Sequence, residues 1–269
     1  MRNLLLATGL LLSLLASAQH KKHSTAPVPD RFAGLDTAFD RVLKDWHAAG
    51  FAVAVVEKDS VIYAKGFGYR DMANKLPVTP NTLFAIGSCT KAFTASLMGM
   101  LQKDGKLSLD KPVRQYLPEL QFYNDDMNDH ILLRDLMCHR TGLPRYDYSW
   151  YGFPTDSRDS LLQRIRYMEP NYGVREKWQY NNFMFMLQGM IAEKLTGKSW
   201  EDNIREKIFA PVGMTHSNLS IEALKRSAEP AIGYDVRKDS IIHAMPYYPI
   251  KAMGPAGSIN SNVLDMALW

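Results

Sequence analysis

The stretch Gly87-Ser88-Cys89-Thr90-Lys91, together with the apolar run at 92–101, decides how the rest of the 269-residue chain is interpreted. Apolar side chains recur every four positions in this run, which predicts a buried helix that ends at Gly105. Residues three apart share one face of a helix, so the Ser88 hydroxyl and the Lys91 ammonium are expected within hydrogen-bond reach. We therefore predict Ser88 as a nucleophile and Lys91 as its base.

The chemistry explains why these two residue types matter together. A serine hydroxyl is a poor nucleophile until its proton is removed, and an amine can remove it only if burial or charge depresses its pKa from about 10.4. The N–H of Ser88, at the start of a helix, can also donate to an oxyanion. Ser-x-x-Lys alone is a weak signal, since Ser108-Leu109-Asp110-Lys111 repeats it in a loop where Lys111 is interpreted as a solvated charge.

Composition indicates a globular protein with one large domain or two smaller ones. The hydrophobic content is 46%, and the sequence contains 32 Lys and Arg residues and 28 Asp and Glu residues. The basic residues are scattered, so we expect no nucleic-acid partner. The seven histidines show no paired spacing, so we expect no metal site, and no motif calls for a cofactor.

The N-terminus has the pattern of a secretory signal peptide at residues 1–18, followed by a linker at 19–29. Arg2 precedes a leucine-rich run at 4–15, and Ala16-Ser17-Ala18 follows it as a cleavage site. The run is too short for a stable membrane span, and no later segment is apolar enough for one. We expect an exported protein, periplasmic or secreted, without an integral span after cleavage.

The two cysteines, Cys89 and Cys138, leave one question open. A disulfide between them is compatible with export but is not required. The pattern favours two small buried side chains.

The remaining periodicities predict a domain over 30–269, with a first helix and strands at 30–87 and a mainly helical region at 88–269. Gly66-Phe67-Gly68 ends a strand and lacks the third glycine of a nucleotide loop. The predicted helices are 30–48, 131–138, 159–167, 183–191 and 200–209. The predicted extended segments are 51–56, 60–69, 77–84 and 231–247.

Two further segments carry candidate site residues. An aromatic loop that begins at Tyr146 can line a cleft or pack onto the domain surface. Tyr180-x-Asn182 stands at the head of a core helix, where the phenol can relay a proton and the carboxamide can bond Lys91 or a substrate amide. The alternative for Asn182 is an ordinary helix cap.

Several segments occur together in an order that resembles the serine β-lactamase and penicillin-binding superfamily. In chain order they are Gly66–Asp71, Pro77–Phe84, Ser88–Lys91, His139–Pro144, Tyr180–Asn182, Pro211–Met214 and Pro255–Gly257. The resemblance is to the branch of class C β-lactamases, D-Ala-D-Ala carboxypeptidases and esterases.

The resemblance implies a role for each site residue and an α/β fold of the α+β type. Ser88 would be the acyl-accepting nucleophile, Lys91 its proton partner and Tyr180 a second relay. Asn182 would bind substrate and Lys91, and Tyr146 would line the cleft. The fold would be an antiparallel sheet flanked by helices, with a helical region beside it.

One departure concerns the third motif of that superfamily, a His- or Lys-led Thr/Ser-Gly on a strand. Lys194-Leu195-Thr196-Gly197 has the wrong spacing and stands at a helix end. We therefore expect a C-terminally truncated chain with an incomplete sheet that is not a competent enzyme alone.

The predicted function is an exported serine hydrolase that forms an acyl-enzyme with a β-lactam, a D-amino-acid peptide or an ester. The substrate would be a small molecule or an acyl peptide, cell-wall peptide included, and the protein a monomer. The alternative is a non-catalytic penicillin-binding, sensing or peptide-binding domain of the same fold.

Overall fold

The computed structural model describes residues 31–238 and 241–269, so the predicted signal peptide and linker lie outside the described residues. The helices are α1 Leu35–Asp45, α2 Thr90–Lys103, α3 Asp125–His130, α4 Leu133–Met137, α5 Tyr148–Tyr151, α6 Arg158–Arg164, α7 Phe183–Thr196, α8 Trp200–Ile204, α9 Ala210–Val212, α10 Ile221–Arg226, α11 Gly254–Gly257 and α12 Val263–Leu268. The strands are β1 Gly50–Glu57, β2 Ser60–Asp71, β3 Leu76–Pro77, β4 Phe84–Ala85, β5 Gly233–Arg237, β6 Ile241–Met245 and β7 Asn260–Ser261. A 3₁₀ turn spans Gly87–Cys89, and one turn of π-helix spans Arg205–Phe209.

The first strands form the predicted hairpin. β1 and β2 pair antiparallel from Gly50 opposite Gly68 to Glu57 opposite Ser60, and β3 extends the sheet beyond β2. Helix α1 covers this sheet through Phe39, whose ring centroid lies 5.8 Å from that of Phe51. The apolar face of α1 is therefore matched to the sheet, as its periodicity indicated.

Gly66 shows why the Gly66-Phe67-Gly68 segment is part of a strand. A Cβ atom at Gly66 would lie 2.2 Å from the carbonyl oxygen of Val78. The chain that leads toward Ser88 thus crosses β2 in direct backbone contact, and Val78 N–H donates to Gly68 O at 3.0 Å. A side chain at 66 would lift this segment off the sheet.

The main core lies between α2 and α7. On α2, Phe93, Leu97 and Leu101 are fully buried, as their spacing predicts. Helix α7 is apolar on nearly all sides, and its buried run continues from Phe183 to Ala192. Trp200, at the start of α8, is also fully buried and closes this core.

The segment from 255 to 261 returns to the Ser88 turn. β4 pairs antiparallel with β7, with Phe84 opposite Ser261. Beyond the strands, Ile86 N–H donates to Ile259 O at 3.0 Å, and Ile259 N–H donates to Thr90 Oγ1 at 3.1 Å. This pairing brings α11 beside the start of α2.

The predicted α/β fold class is confirmed, with small antiparallel sheets and helices. The region after 88 contains the β5–β6 hairpin, which lies within the extended segment predicted at 231–247. One expectation needs correction. Cys89 and Cys138 are free and exposed, where buried side chains were predicted, because Cys89 ends a 3₁₀ turn whose three residues are all exposed and Cys138 lies at the C-terminal end of α4. Within the described ranges, no helix combines the length and hydropathy that a bilayer span needs.

Candidate active site

Ser88 lies in the 3₁₀ turn that joins β4 to α2, and it is exposed to solvent. Lys91 follows one turn later and retains 7% of its exposed surface. The Lys91 Nζ and Ser88 Oγ atoms are 3.1 Å apart, as the i, i+3 spacing predicted. The turn thus presents a hydroxyl to solvent while it buries the amine beside it.

Tyr180 reaches the same hydroxyl from the segment before α7. Its phenol donates to Ser88 Oγ at 2.6 Å. The Lys91 ammonium also lies 4.8 Å from the Tyr180 ring centroid. Three side chains from sequence positions 88, 91 and 180 therefore meet at one oxygen atom.

Lys91 has three hydrogen-bond acceptors, which matches the three donors of an ammonium group. Besides Ser88 Oγ, it donates to Asn182 Oδ1 at 2.8 Å and to the carbonyl of Ala256 at 2.7 Å. The contribution of Ala256 was missed by sequence reasoning, because every residue carries a carbonyl and no residue type signals its use. Only the quoted Pro255–Gly257 segment pointed to this region.

Asn182 does not use its side chain to cap α7, which was the alternative interpretation. The helix start is served by Asn181, whose Oδ1 accepts from Phe183 N–H at 2.9 Å. The Asn182 Oδ1 atom faces Lys91, and its Nδ2 donates to Asp147 Oδ1 at 2.9 Å. Asp147 was also missed, although it lies one residue beyond the predicted Tyr146.

Tyr146 stands apart from this network. Its hydroxyl donates to the carbonyl of Glu169 at 2.9 Å, and its ring packs against the core. It borders an open, mostly apolar groove of about 590 Å³ with Tyr148, Phe153, Tyr167 and Met168 among its other walls. A substrate-binding role for Tyr146 stays a prediction.

His139 supports Tyr180 from behind. Its ring centroid lies 4.5 Å from that of Tyr180, and its Nδ1 accepts from Asn181 N–H at 3.2 Å. Burial, with the positive charges of Lys91 and Arg145, lowers the pKa of His139 from 6.5 to about 4. The imidazole is therefore neutral at pH 7 and packs against the Tyr180 ring.

The electrostatics of Lys91 suit a base. Burial lowers its pKa from 10.5 to about 8, while Asp147 acts in the opposite direction and Arg145 in the same one. About a tenth of the amines are then neutral at pH 7. By contrast, Ser108 Oγ accepts from Asp110 N–H in a local turn and Lys111 is exposed, so the second Ser-x-x-Lys lacks this setting.

Curated relatives match most of the chain. The unguisins hydrolase ungD' of Aspergillus campestris is 35% identical over 252 residues, which are 87% of this chain and 46% of that protein. Protein flp of Staphylococcus aureus is 25% identical over 238 residues, with coverage of 87% and 47%. The chain thus spans less than half the length of these relatives.

Solved structures share the fold. The octameric penicillin-binding protein homologue from Pyrococcus abyssi superposes with a TM-score of 0.80 at 30% identity, over 88% of this chain and 55% of that one. FmtA from Staphylococcus aureus gives 0.72 at 26%, over 86% and 63%. The beta-lactamase family model matches residues 35–269. The chain therefore belongs to the beta-lactamase family.

Proposed function

We propose that the protein is a serine hydrolase that works through an acyl-enzyme on Ser88. The observation that carries the proposal is the convergence on Ser88 Oγ of Lys91 Nζ at 3.1 Å and of the Tyr180 hydroxyl at 2.6 Å. A hydroxyl flanked by a buried amine and a phenol has both a proton acceptor and a proton donor at hand. The hydrolase name of one relative supports the same class.

The proposed acylation begins with the neutral form of Lys91. The amine takes the Ser88 proton as Oγ bonds to the acyl carbon, and the carbonyl oxygen becomes an oxyanion to which Ser88 N–H can donate. The intermediate collapses when the bond to the leaving nitrogen or oxygen breaks. Tyr180 gives that atom a proton and is reprotonated from Lys91, which ends neutral. Water then attacks the acyl carbon and gives a proton to Lys91. The bond to Ser88 Oγ breaks as that oxygen is reprotonated, and the free acid is released.

The proposed substrates are β-lactams, D-amino-acid peptides or esters, cell-wall peptide included. The penicillin-binding homologue among the structural neighbours supports this range, and so does the open groove next to Tyr146, which has room for an apolar group. We also propose that the protein is exported by the leader at 1–18 and acts as a monomer.

The test is covalent labelling of the full-length protein with a fluorescent penicillin and with an activated phosphonate, read by intact mass and peptide mapping. We expect one adduct, on Ser88, and turnover of at least one activated ester or β-lactam; efficient turnover by residues 19–269 alone would contradict the expectation that this stretch is not a competent enzyme. Ser88→Ala should abolish the adduct and lower turnover at least ~10³-fold with little change in melting temperature.

Ser108→Ala is the matched control, because it removes the same hydroxyl from the other Ser-x-x-Lys, and it should behave as wild type. Absence of a Ser88 adduct with every probe would refute the proposal. A stable adduct without turnover would favour the non-catalytic binding domain instead.

A further inference from the structure

We propose that Asp147 is a positioning residue that fixes the amide orientation of Asn182, so that neutral Lys91 directs its lone pair at Ser88. The inference rests on the proposed function, because it assigns a purpose to the Lys91 base. It concerns a residue outside the Ser-x-x-Lys and Tyr-x-Asn segments, on the loop before α5.

Asp147 is held by three donors. Its Oδ1 accepts from Asn182 Nδ2 at 2.9 Å and from Trp150 Nε1 at 3.0 Å. Its Oδ2 accepts from Arg145 Nε at 2.5 Å. The carboxylate, whose side chain is 29% exposed, therefore has a fixed place beside Asn182.

The orientation of the Asn182 amide follows from what each partner can do. A carboxylate only accepts hydrogen bonds, so the group that faces Asp147 must be the amide nitrogen. The carbonyl oxygen of Asn182 is then the atom that faces Lys91, at 2.8 Å. Without Asp147, the amide could rotate and present its N–H groups to the amine.

This orientation decides where the lone pair of Lys91 points. A neutral amine has two N–H donors and one lone pair, and two of its three neighbours, Asn182 Oδ1 and Ala256 O, can only accept. Both N–H groups are committed to those oxygens. The lone pair is left for Ser88, which is the one neighbour with a proton to give.

The charge of Asp147 adds a second, measurable effect on Lys91. Arg145 lies 4.7 Å from the Tyr180 ring centroid and is paired with Asp147, so each contributes to the field at the amine. The groups that act on Lys91 are Asp147 and Arg145 by charge, and Tyr180 and neutral His139 by packing nearby. Removal of the Asp147 charge should therefore make the Lys91 ammonium easier to deprotonate.

The experiment compares Asp147→Ala and Asp147→Asn with wild type, by the acylation rate from pH 5 to 10. Asp147→Ala should lower the plateau rate about 10- to 100-fold, because the amide is released. Asp147→Asn can still accept from Asn182, so it should recover most of that loss. Asp126→Asn is the control, since this exposed carboxylate pairs with His130 on α3, away from the Lys91 network in the described part of the chain, and it should match wild type.

A double-mutant cycle with Asn182→Ala separates positioning from general damage. If Asp147 acts through Asn182, the double variant should acylate within about twofold of Asn182→Ala alone. Losses that multiply fully would overturn the proposal. Melting temperatures of all variants identify any that fail to fold, and Asp147→Asn is the variant on which the conclusion then depends.

A readout without substrate keeps this proposal distinct from the proposed function. The titration of the Lys91 Cε resonance, followed by NMR in the free protein, should shift to lower pH by at least about half a pH unit in Asp147→Asn. An unchanged Lys91 titration would refute the effect of the Asp147 charge on Lys91, and losses that multiply fully in the double-mutant cycle would refute the positioning role. Wild-type protein without any Ser88 adduct would refute the hydrolase proposal, while a shifted titration would still support the link from Asp147 to Lys91.

Discussion

Replacing Gly189 by alanine tests whether direct contact with α7 holds the turn that carries the Ala256 carbonyl. A Cβ atom at Gly189 would lie 2.3 Å from Cγ and 2.9 Å from Cβ of Pro255. The proline ring is rigid and cannot rotate away. On its other side, Pro255 O accepts from Thr94 Oγ1 at 2.7 Å, which resists movement of the turn.

The size of the effect follows from this overlap. The turn must move by about 1 Å before the new methyl group reaches an ordinary carbon–carbon contact. Overpacking of this kind costs roughly 1–3 kcal/mol, and the better helix propensity of alanine offsets up to about 1 kcal/mol. The unfolding free energy should therefore fall by only about 0–2 kcal/mol. The 2.7 Å bond from Lys91 to Ala256 O is disturbed directly, so we expect an acylation rate about 100-fold lower.

The assay is the rate of Ser88 labelling by an activated phosphonate, measured beside thermal unfolding. Gly99→Ala makes the same change on the exposed face of α2, where nothing lies within 4 Å of the new Cβ. That control should label at the wild-type rate and gain up to about 1 kcal/mol. If Gly189→Ala labelled as fast as Gly99→Ala, the contact between Gly189 and Pro255 would not control the position of the Ala256 carbonyl beside Lys91, and the reasoning would be refuted.

Three further predictions follow from the same contacts. The acylation rate should rise about tenfold per pH unit up to the Lys91 pKa of about 8 and level off above it, because only the neutral amine accepts a proton. A rate independent of pH from 5 to 9 would contradict this prediction. Tyr180→Phe should lower the acylation rate about 10²- to 10⁴-fold at an unchanged melting temperature, and wild-type kinetics would exclude the phenol as a proton relay. Arg158→Ala removes the shared ion-pair partner of Glu193 and Glu201, so the free energy of unfolding should fall by roughly 2–3 kcal/mol in chemical denaturation. An unchanged denaturation midpoint would show that the two ion pairs make no net contribution to stability.

The sequence predicted the site best where its geometry is local. Ser88 and Lys91 are three residues apart on a helix start, so their contact follows from helical geometry alone. Tyr180 and Asn182 were singled out by their position at the head of a core helix, and the order of motifs along the chain then implied their roles. The contact of Tyr180 with Ser88 joins residues 92 positions apart, and no periodicity encodes such a distance.

The parts that were missed are long-range or independent of residue type. The Ala256 carbonyl is 165 positions from Lys91, and the bond from Asn182 to Asp147 joins residues 35 positions apart. The role of Gly189 was also missed, because the space that its absent Cβ leaves for Pro255 is visible only in the folded structure. Burial of Cys89 was predicted because free cysteine side chains are usually buried, but the position of Cys89 in the 3₁₀ turn exposes it.

The exposure of Cys89 gives the protein a site for covalent labelling beside the proposed nucleophile, Ser88. Cys89 and Cys138 are both free thiols, so Cys138→Ser would leave one attachment point for an environment-sensitive dye. Such a dye would sit one residue from Ser88, where the arrival of a ligand changes the local polarity. Ligand entry could then be followed by fluorescence in real time, independently of whether the acyl group is ever released.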